Sequence, residues 1–593
     1  MKPQAARLVP RFTADEADRL QKSEARSLVA QPTCKLAVAL IALLSVAFPV
    51  AAEQFSGSAK AGVLTRVATV DPLHASAAAN LALATPAVLR QRSARTQLAK
   101  ISASVAAAQS SSASTAAQTS QVQMASSALI GATNSEAILS NFDGVSSLDS
   151  AITNFGAEFE PPDQGLCVGN GFVVEPVNSA YTIYRRDGSV VAGPFNVNVM
   201  FDEGLTEFTS DPRCHFDPAT HTWFATILFI SADNTEARTD IAVNTSGDPT
   251  TPWTVYHLDA TDDGTNGTPV HIGCPCFGDQ PLLGMDRQNL YIATNEFSIL
   301  GPQANGAQIY AVSKRDLING AASIHFVQFE NLTIAADSAF SVQPALTSPG
   351  DDSNVEYFLE SIDPTNTFDN RLGVWALTDP GAVSEGGIPT LSSVVINSLV
   401  FGVPPNAVQM GSTSLLNTGD DRMQQVQFIN GHLWGELNTA LNVAGSSTQL
   451  CANAWFEVHP QVRNSQIASA TITRQGILAS PGNFLFYPAL QVTPNGEVAM
   501  VFSISGPTLF ASAAFARMSA GGHSFGSITI AAAGTGPYAP SSTRWGDYSW
   551  AVADPNGKSI WLATEYIPAP DQQTPDGLQN WGTRVIEVSA GED

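Results

Sequence analysis

Charge is scarce in this chain. Only 14% of its 593 residues are Asp, Glu, Lys or Arg, and 28 basic residues face 53 acidic ones, a formal net charge of -25. A deficit of positive charge on that scale repels phosphate backbones and anionic lipid surfaces, so nucleic acid is excluded as a partner. Cations, neutral sugars and peptides suit such a surface better. Histidine is also sparse, at 9 residues, and no two fall in a His-Glu-x-x-His or other zinc-binding spacing. No alternation of strand and helix patterns of the parallel βαβ kind occurs.

Long apolar runs are nearly absent too. The exception, from Lys35 to Ala52, starts on a positive charge, continues apolar and ends on small residues, Val50 and Ala52, two apart. That is the layout of a secretory signal peptide cut before Glu53, with a long charged leader in front of it. A membrane anchor is the rival reading, because the run approaches the length of a spanning helix without comfortably reaching it. Cys34 precedes the run and so cannot be a lipoprotein cysteine. Cleavage leaves no membrane span and five cysteines: Cys167, Cys214, Cys274, Cys276 and Cys451. Export favours pairing, and an odd number leaves at least one thiol free. Cys167 and Cys214 hold similar places in successive units, which suits a bridge between them. Cys274-Pro275-Cys276 is too tight for a zinc knuckle. The pairing itself stays open at this level.

Residues 53–140 form the next segment. From Ile101 to Ser135 no charged residue occurs, and Ala, Ser, Gln and Thr dominate. Such composition lacks the apolar mass for a core and predicts a low-complexity stalk, flexible or weakly helical.

From residue 141 onward, Gly and Pro punctuate short runs rich in Val, Ile, Phe, Tyr and Trp. Trp223–Ile230 is almost continuously apolar, as a strand covered on both faces should be, and Asp217-Pro218, Thr493-Pro494-Asn495-Gly496 and Asp554-Pro555-Asn556-Gly557 are tight-turn sequences. Marked strand starts recur at steps of 48 to 77 residues, four of the six between 60 and 70: Asp163, Asp211-Pro212, Asp279-Gln280-Pro281, Gln343-Pro344, Asp420-Asp421, Tyr487-Pro488 and Asp547-Tyr548. Seven heads of this kind predict an all-β chain, a β-propeller of seven four-stranded blades over 141–593, with six or eight blades as alternatives.

The opening Pro161-Pro162-Asp163, Val168-Gly169, Val177-Asn178, and the finish Arg544-Trp545-Gly546-Asp547-Tyr548-Ser549, Asp554-Pro555, Trp561, Glu565-Tyr566, together resemble a family of secreted bacterial β-propellers described as sialidase-like or BNR-like. The resemblance covers roughly residues 155–590 as a pattern, and implies a propeller and export; it brings no agreed activity. The Asp-box turns of true sialidases, Ser-x-Asp-x-Gly-x-Thr-Trp, are not intact here, and Asp554–Trp561 is a loose echo.

Chemistry concentrates at the strand starts. In four units a head and a later Glu keep a nearly constant separation: Asp279 with Glu296, Gln343 with Glu360, Asp420 with Glu436, Asp547 with Glu565. In an antiparallel hairpin such residues lie at the same end, so Asp163, Asp211, Asp279 and Asp547 are expected to ring one mouth of a central channel. Gathered carboxylates serve as cation ligands, calcium among them, or as the acid and base of glycoside cleavage; they also serve merely to accept backbone N–H bonds or to pair with Arg213, Arg287, Arg422 and Arg544. On the catalytic reading Asp547, Glu565, Asp279 and Glu296 carry the reaction, and Asp163, Asp211, Arg213, Arg544 and Tyr548 hold the ligand. Asp259–Gly267 has the flavour of a calcium loop without EF-hand spacing. His271 beside Cys274 and Cys276 is a small cluster that a disulfide explains. Gly522-His523-Ser524-Phe525-Gly526 matches a nucleophile elbow in letters only, since no helix pattern follows it. The expectation is an exported module that binds carbohydrate, a cell-surface ligand or calcium, with a sialidase-like glycoside hydrolase as the alternative. Oligomeric state is not legible.

Overall fold

The computed structural model describes residues 53–76, 126–127, 130, 138–156, 159–362, 368–442, 448–538, 544–573 and 580–590. The signal peptide expected over residues 1–52 lies outside them. The chain divides into Met1–Phe48 and Pro49–Asp593, and all described residues fall in the second unit. It is nearly all-β. Among the described residues no helix is long and apolar enough to cross a membrane.

Among the described residues, seven sets of four antiparallel strands follow one another, over residues 167–196, 208–259, 276–330, 343–401, 423–479, 484–532 and 550–589. The last set has only three strands from its own stretch. Its fourth is Ile138–Ser146, which pairs with Gly582–Ser589 and ties the two ends of the domain together. The first strands of successive sets touch in order, and the first strand of the seventh returns to that of the first. Two such neighbours are hydrogen-bonded in parallel, Met285 opposite Leu346 and Ala345–Thr347 opposite Val426–Phe428.

Local sequence explains the geometry. Five of the seven sets start on a residue of unusual backbone: Asp163, Asp211, Gln280, Ser341 and Tyr487 all have φ between 47° and 56°. Three of these precede a proline, which bars the right-handed helical region to the residue before it. The second strands are fully buried, as in Thr222–Ile230, Asn289–Ser298 and Val498–Gly506, and apolar clusters lie between neighbouring sets. All nine tryptophans and all ten tyrosines are buried.

The stretch expected as a stalk departs from that expectation where it is described. Ser58–Val70 is a strand; its Val70 end pairs with Trp253–Tyr256 and its Ser58 end with Ser323–Glu330. Leu64 and Val70 point inward. One strand thus covers the outer edges of two neighbouring sets, which removes two rows of unpaired backbone groups. Glu53–Gln54 pairs with Ser392–Ser393 in the same way. The remainder of the expected stalk, apart from residues 55–57, 71–76, 126–127, 130 and 138–140, lies outside the described residues.

Among the described residues two disulfides join Cys167 to Cys214 and Cys274 to Cys276, and Cys451 is a buried free thiol. The first links the first and second sets. Gly522–Gly526 lies in the connection between Leu509–Met518 and Thr529–Ala532 with no helix after it, so the elbow reading is void.

Candidate functional site

The heads of the first strands converge. Asp163 Oδ1 accepts the backbone N–H of Asp547 at 2.7 Å, and Gln164 Nε2 donates to the Tyr548 carbonyl at 2.9 Å. First and last sets are therefore clasped through the same residues that begin them. Asp211 and Asp279 lie close enough to both for their charges to interact. Three guanidinium groups sit among these carboxyls. Arg544 pairs with Asp547. Arg422 grips Asp420 with two nitrogens, at 2.7 and 2.6 Å, and donates to Gln280 Oε1 at 2.8 Å. Arg213 is stacked on Tyr548, its guanidinium carbon 3.2 Å from the ring centre, with Trp550 beyond at 4.7 Å.

Exposure divides the cluster into a floor and a rim. Asp163, Asp211, Arg213 and Tyr548 are buried. Asp547 and Arg544 keep about a quarter of their side-chain surface, 25% and 24%, and Asp420 and Arg422 somewhat less. Beneath, Gln425 reaches across to the backbone of Ala551 through two bonds, 2.7 and 3.0 Å.

Burial and mutual repulsion set the proton affinities here. Burial, then the charges of Asp547 and Asp211, hold Asp163 well above the usual carboxylate range. Burial and the Asp279 and Asp547 charges push Asp211 up to about 7. Asp279 rises to about 6, because burial and Asp547 outweigh the opposing Arg422. Burial lowers Arg213, against the pull of the surrounding acids. At Arg544 burial acts in the same sense, but Asp547 and Asp163 overcome it and strengthen its hold on the proton.

The later Glu of each pair behaves differently from its head. Glu565 Oε2 accepts the Gly546 N–H at 2.8 Å, Glu436 Oε1 that of Gln425 at 3.1 Å, and Glu360 Oε2 that of Phe340 at 3.2 Å. Each carboxyl fastens the backbone beside its own head. Glu296 does not join Asp279 at all. Asn295 stands opposite Asp279 in the hairpin, so Glu296, one residue on, points to the other face. Its carboxylate meets His271 Nδ1 at 2.9 Å. Of the nine residues singled out, Asp163, Asp211, Arg213, Asp279, Arg544, Asp547 and Tyr548 gather at one end; Glu565 lies just behind them, and Glu296 belongs elsewhere. Arg287 pairs instead with Asp352 on the surface.

A repeated asparagine escaped the sequence reading. Asn178, Asn295 and Asn438 each accept, through Oδ1, the N–H of the head residue in the next set: Asp211 at 2.8 Å, Ser341 at 2.7 Å and Tyr487 at 2.7 Å. All three recipients have positive φ, which turns the amide toward the preceding set. An asparagine in or just after the second strand of three sets was the available signal.

Two further clusters bring carboxylates and a histidine together: Asp262, His271 and Glu296, and Glu203, Asp240 and His257. The Asp259–Gly267 loop is closed by its own side chains, Asn266 Nδ2 donating to Asp259 Oδ2 at 2.8 Å. Asp259 and Asp263 cap the nearby Thr261 and Thr265 amides, while Asp262 turns inward.

No protein-family model matches the sequence, and no curated protein is significantly similar to it. Solved structures similar to it include an α-L-arabinofuranosidase from Fusarium graminearum (10% identity, 76% of this chain and 97% of that one, TM-score 0.30). The NanB sialidase of Streptococcus pneumoniae is another (8% identity, 71% and 82%, TM-score 0.34). A third is a putative exo-β-1,3-galactanase from Bifidobacterium bifidum (12% identity, 56% and 95%, TM-score 0.27). Likenesses this distant carry no chemistry over to the chain, whose function has to be argued from its own residues.

Proposed function

We propose that the chain is an exported seven-bladed β-propeller that binds a polyhydroxylated ligand, a carbohydrate by chemistry, at the mouth formed by its first-strand heads. The seven four-stranded sets are the blades, and their first strands line the central axis. One observation carries the binding reading: buried polar atoms at the mouth lack protein partners. Arg213 Nε and Nη1, Gln164 Oε1 and the Tyr548 hydroxyl are all in this state. Buried polar groups without partners are costly, and a hydroxyl-rich ligand supplies both donors and acceptors to them. The rim pairs Asp547–Arg544 and Asp420–Arg422 add fixed acceptors and donors for vicinal hydroxyls. Because every tryptophan and tyrosine is buried, recognition by an exposed tryptophan or tyrosine platform is not available, and the polar mouth does the selecting. A glycan-binding screen on the purified chain tests this, with Asp547→Asn and Arg213→Gln as variants. Binding that survives both substitutions unchanged refutes it.

Glycoside hydrolysis is the second reading, favoured by one feature. Asp211, pushed up to about 7 by burial and its acid neighbours, can hold a proton near neutrality, and the Asp547 carboxyl paired with Arg544 stands beside it, so the two are candidates for the acid and its partner carboxylate. Turnover of aryl glycosides lost in Asp211→Asn supports it; binding without turnover leaves the first reading alone standing.

A further inference from the structure

Away from the mouth, on the opposite face of the third set, one loop and one strand bring ligand-type atoms together. Asp262 comes from the loop after Trp253–Asp259, His271 from nine residues further along that loop, and Glu296 from the strand Asn289–Ser298. His271 Nδ1 lies 2.9 Å from either oxygen of Glu296 and 3.7 Å from Asp262 Oδ2. Asp262 and Glu296 are buried and His271 nearly so. We infer that Asp262, His271 and Glu296 form a binding site for a divalent cation of zinc type.

The outer contacts are those a metal-bound histidine needs. His271 Nε2 is 2.8 Å from Glu330 Oε2. A carboxylate there holds the proton on Nε2 and leaves the Nδ1 lone pair facing Asp262 and Glu296, the carboxylate–histidine–metal arrangement. Asp262 is oriented in turn by Gln308 Nε2 at 2.7 Å, and Gln308 by the Tyr310 hydroxyl. A zinc ion bonded at about 2.1 Å to tetrahedral ligands sets them roughly 3.4 Å apart, close to the spacings present.

Charge supplies a second argument, sharpened by the other cluster of similar composition. Around Glu203, Asp240 and His257 the cation is already built in: Arg238 meets Glu203 at 2.5 Å and Asp240 at 3.2 Å. Around Asp262, Glu296 and Glu330, no lysine or arginine forms an ion pair among the described residues; His271 alone faces three carboxyls. Two of the three are buried, where uncompensated charge is expensive. A divalent cation supplies the missing charge and would fasten the 260–276 loop to the strands carrying Glu296 and Glu330. Cys274 Sγ also lies near Glu296, 3.8 Å from Oε1, but Cys274 and Cys276 are joined in a disulfide, so their sulfurs are not ligands.

The test uses the untagged full chain, stripped with chelator, dialysed against zinc chloride and assayed for bound metal, with melting temperature measured in parallel. Saturable uptake of one zinc per chain and a rise in melting temperature on zinc addition are expected. His271→Asn and Glu296→Gln should each raise the half-saturating concentration by at least about tenfold, and Glu330→Gln, which leaves all three ligands in place, by about tenfold. Asp240→Asn should leave uptake unchanged. The inference is overturned if the wild-type chain shows no saturable uptake, if His271→Asn binds like wild type while folded by circular dichroism, or if Asp240→Asn is the variant that loses zinc.

Discussion

Asn438→Ala isolates the bond that joins one set of strands to the next. The amide is fully buried, its Oδ1 accepting the Tyr487 N–H at 2.7 Å and its Nδ2 donating to the Thr418 carbonyl at 2.9 Å. Alanine fills neither role, so a buried N–H and a buried C=O lose their partners together. Each such group costs about 1–3 kcal/mol, and the small cavity left by the amide adds to that. A loss of about 3–4 kcal/mol follows, a large share of the 5–15 kcal/mol that is typical of a domain. Tyr487 holds φ at 52°, a conformation that its neighbours must enforce, so the released head should also become mobile. Equilibrium urea unfolding followed by tryptophan emission reads the effect, since every tryptophan is buried. The midpoint should fall at unchanged slope. Asn438→Asp separates the two halves of the bond: it keeps an acceptor for Tyr487 but sets an ionised oxygen against the Thr418 carbonyl, and should be destabilised as well. A shift below about 0.5 kcal/mol for the alanine variant, the size of an ordinary surface substitution, would refute the clasp.

Other outcomes follow from the same structure. Burial, chiefly, raises Glu175 from 4.5 to about 7; the folded state then holds a proton that the unfolded chain releases, so stability should fall as pH rises between those values, by up to about 1.4 kcal/mol per pH unit. Glu175→Gln should flatten that slope in pH-dependent melting, because the Val145 N–H bonds to Oε2 while Oε1 is unpartnered; an unchanged slope counts against Glu175 as its source. Replacing Cys167 and Cys214 together by serine opens a crosslink across 47 residues, which by loop entropy costs about 4 kcal/mol, whereas opening Cys274–Cys276, two residues apart, should cost far less; calorimetry of the two double variants decides. Deleting residues 53–70 should bare the edges at Trp253–Asp259 and Ser323–Glu330 and promote association visible by light scattering, and a monodisperse truncated chain would contradict the covering role.

The strand units were legible because each is local in sequence and starts on a head that the backbone requires. Asp211-Pro212 and Tyr487-Pro488 mark chain reversals that only certain residues tolerate, and such marks survive without any knowledge of partners. The convergence of Asp163, Asp211, Asp279 and Asp547 followed from the same regularity. What was not legible is side-chain direction. Spacing alone made Glu296 the equivalent of Glu565, yet a single step of register sends it to the other face, away from Asp279 and toward His271. Ser58–Val70 escaped for a different reason. Only Leu64 and Val70 along it are buried, so it carries little alternation of its own, and its strand character comes from the two edges it covers.

The division of labour among the acids follows from that geometry. Glu565, Glu436 and Glu360 are spent on backbone amides beside their own heads, and substituting them should act first on stability. Asp547 differs, because its backbone closes the ring on Asp163 while its carboxylate stays at the rim with Arg544. Asp547→Asn should therefore leave the closing bond, an N–H of the main chain, in place and weaken ligand binding with little change in melting temperature. Glu565→Gln should do the reverse: with Oε1 unpartnered and Oε2 on Gly546, the amide oxygen can still take the Gly546 N–H, so binding should persist with a modest change in stability. Measuring both variants for melting temperature and glycan binding separates the two roles. Equal losses of binding in both would place Glu565 in the ligand site and defeat the assignment.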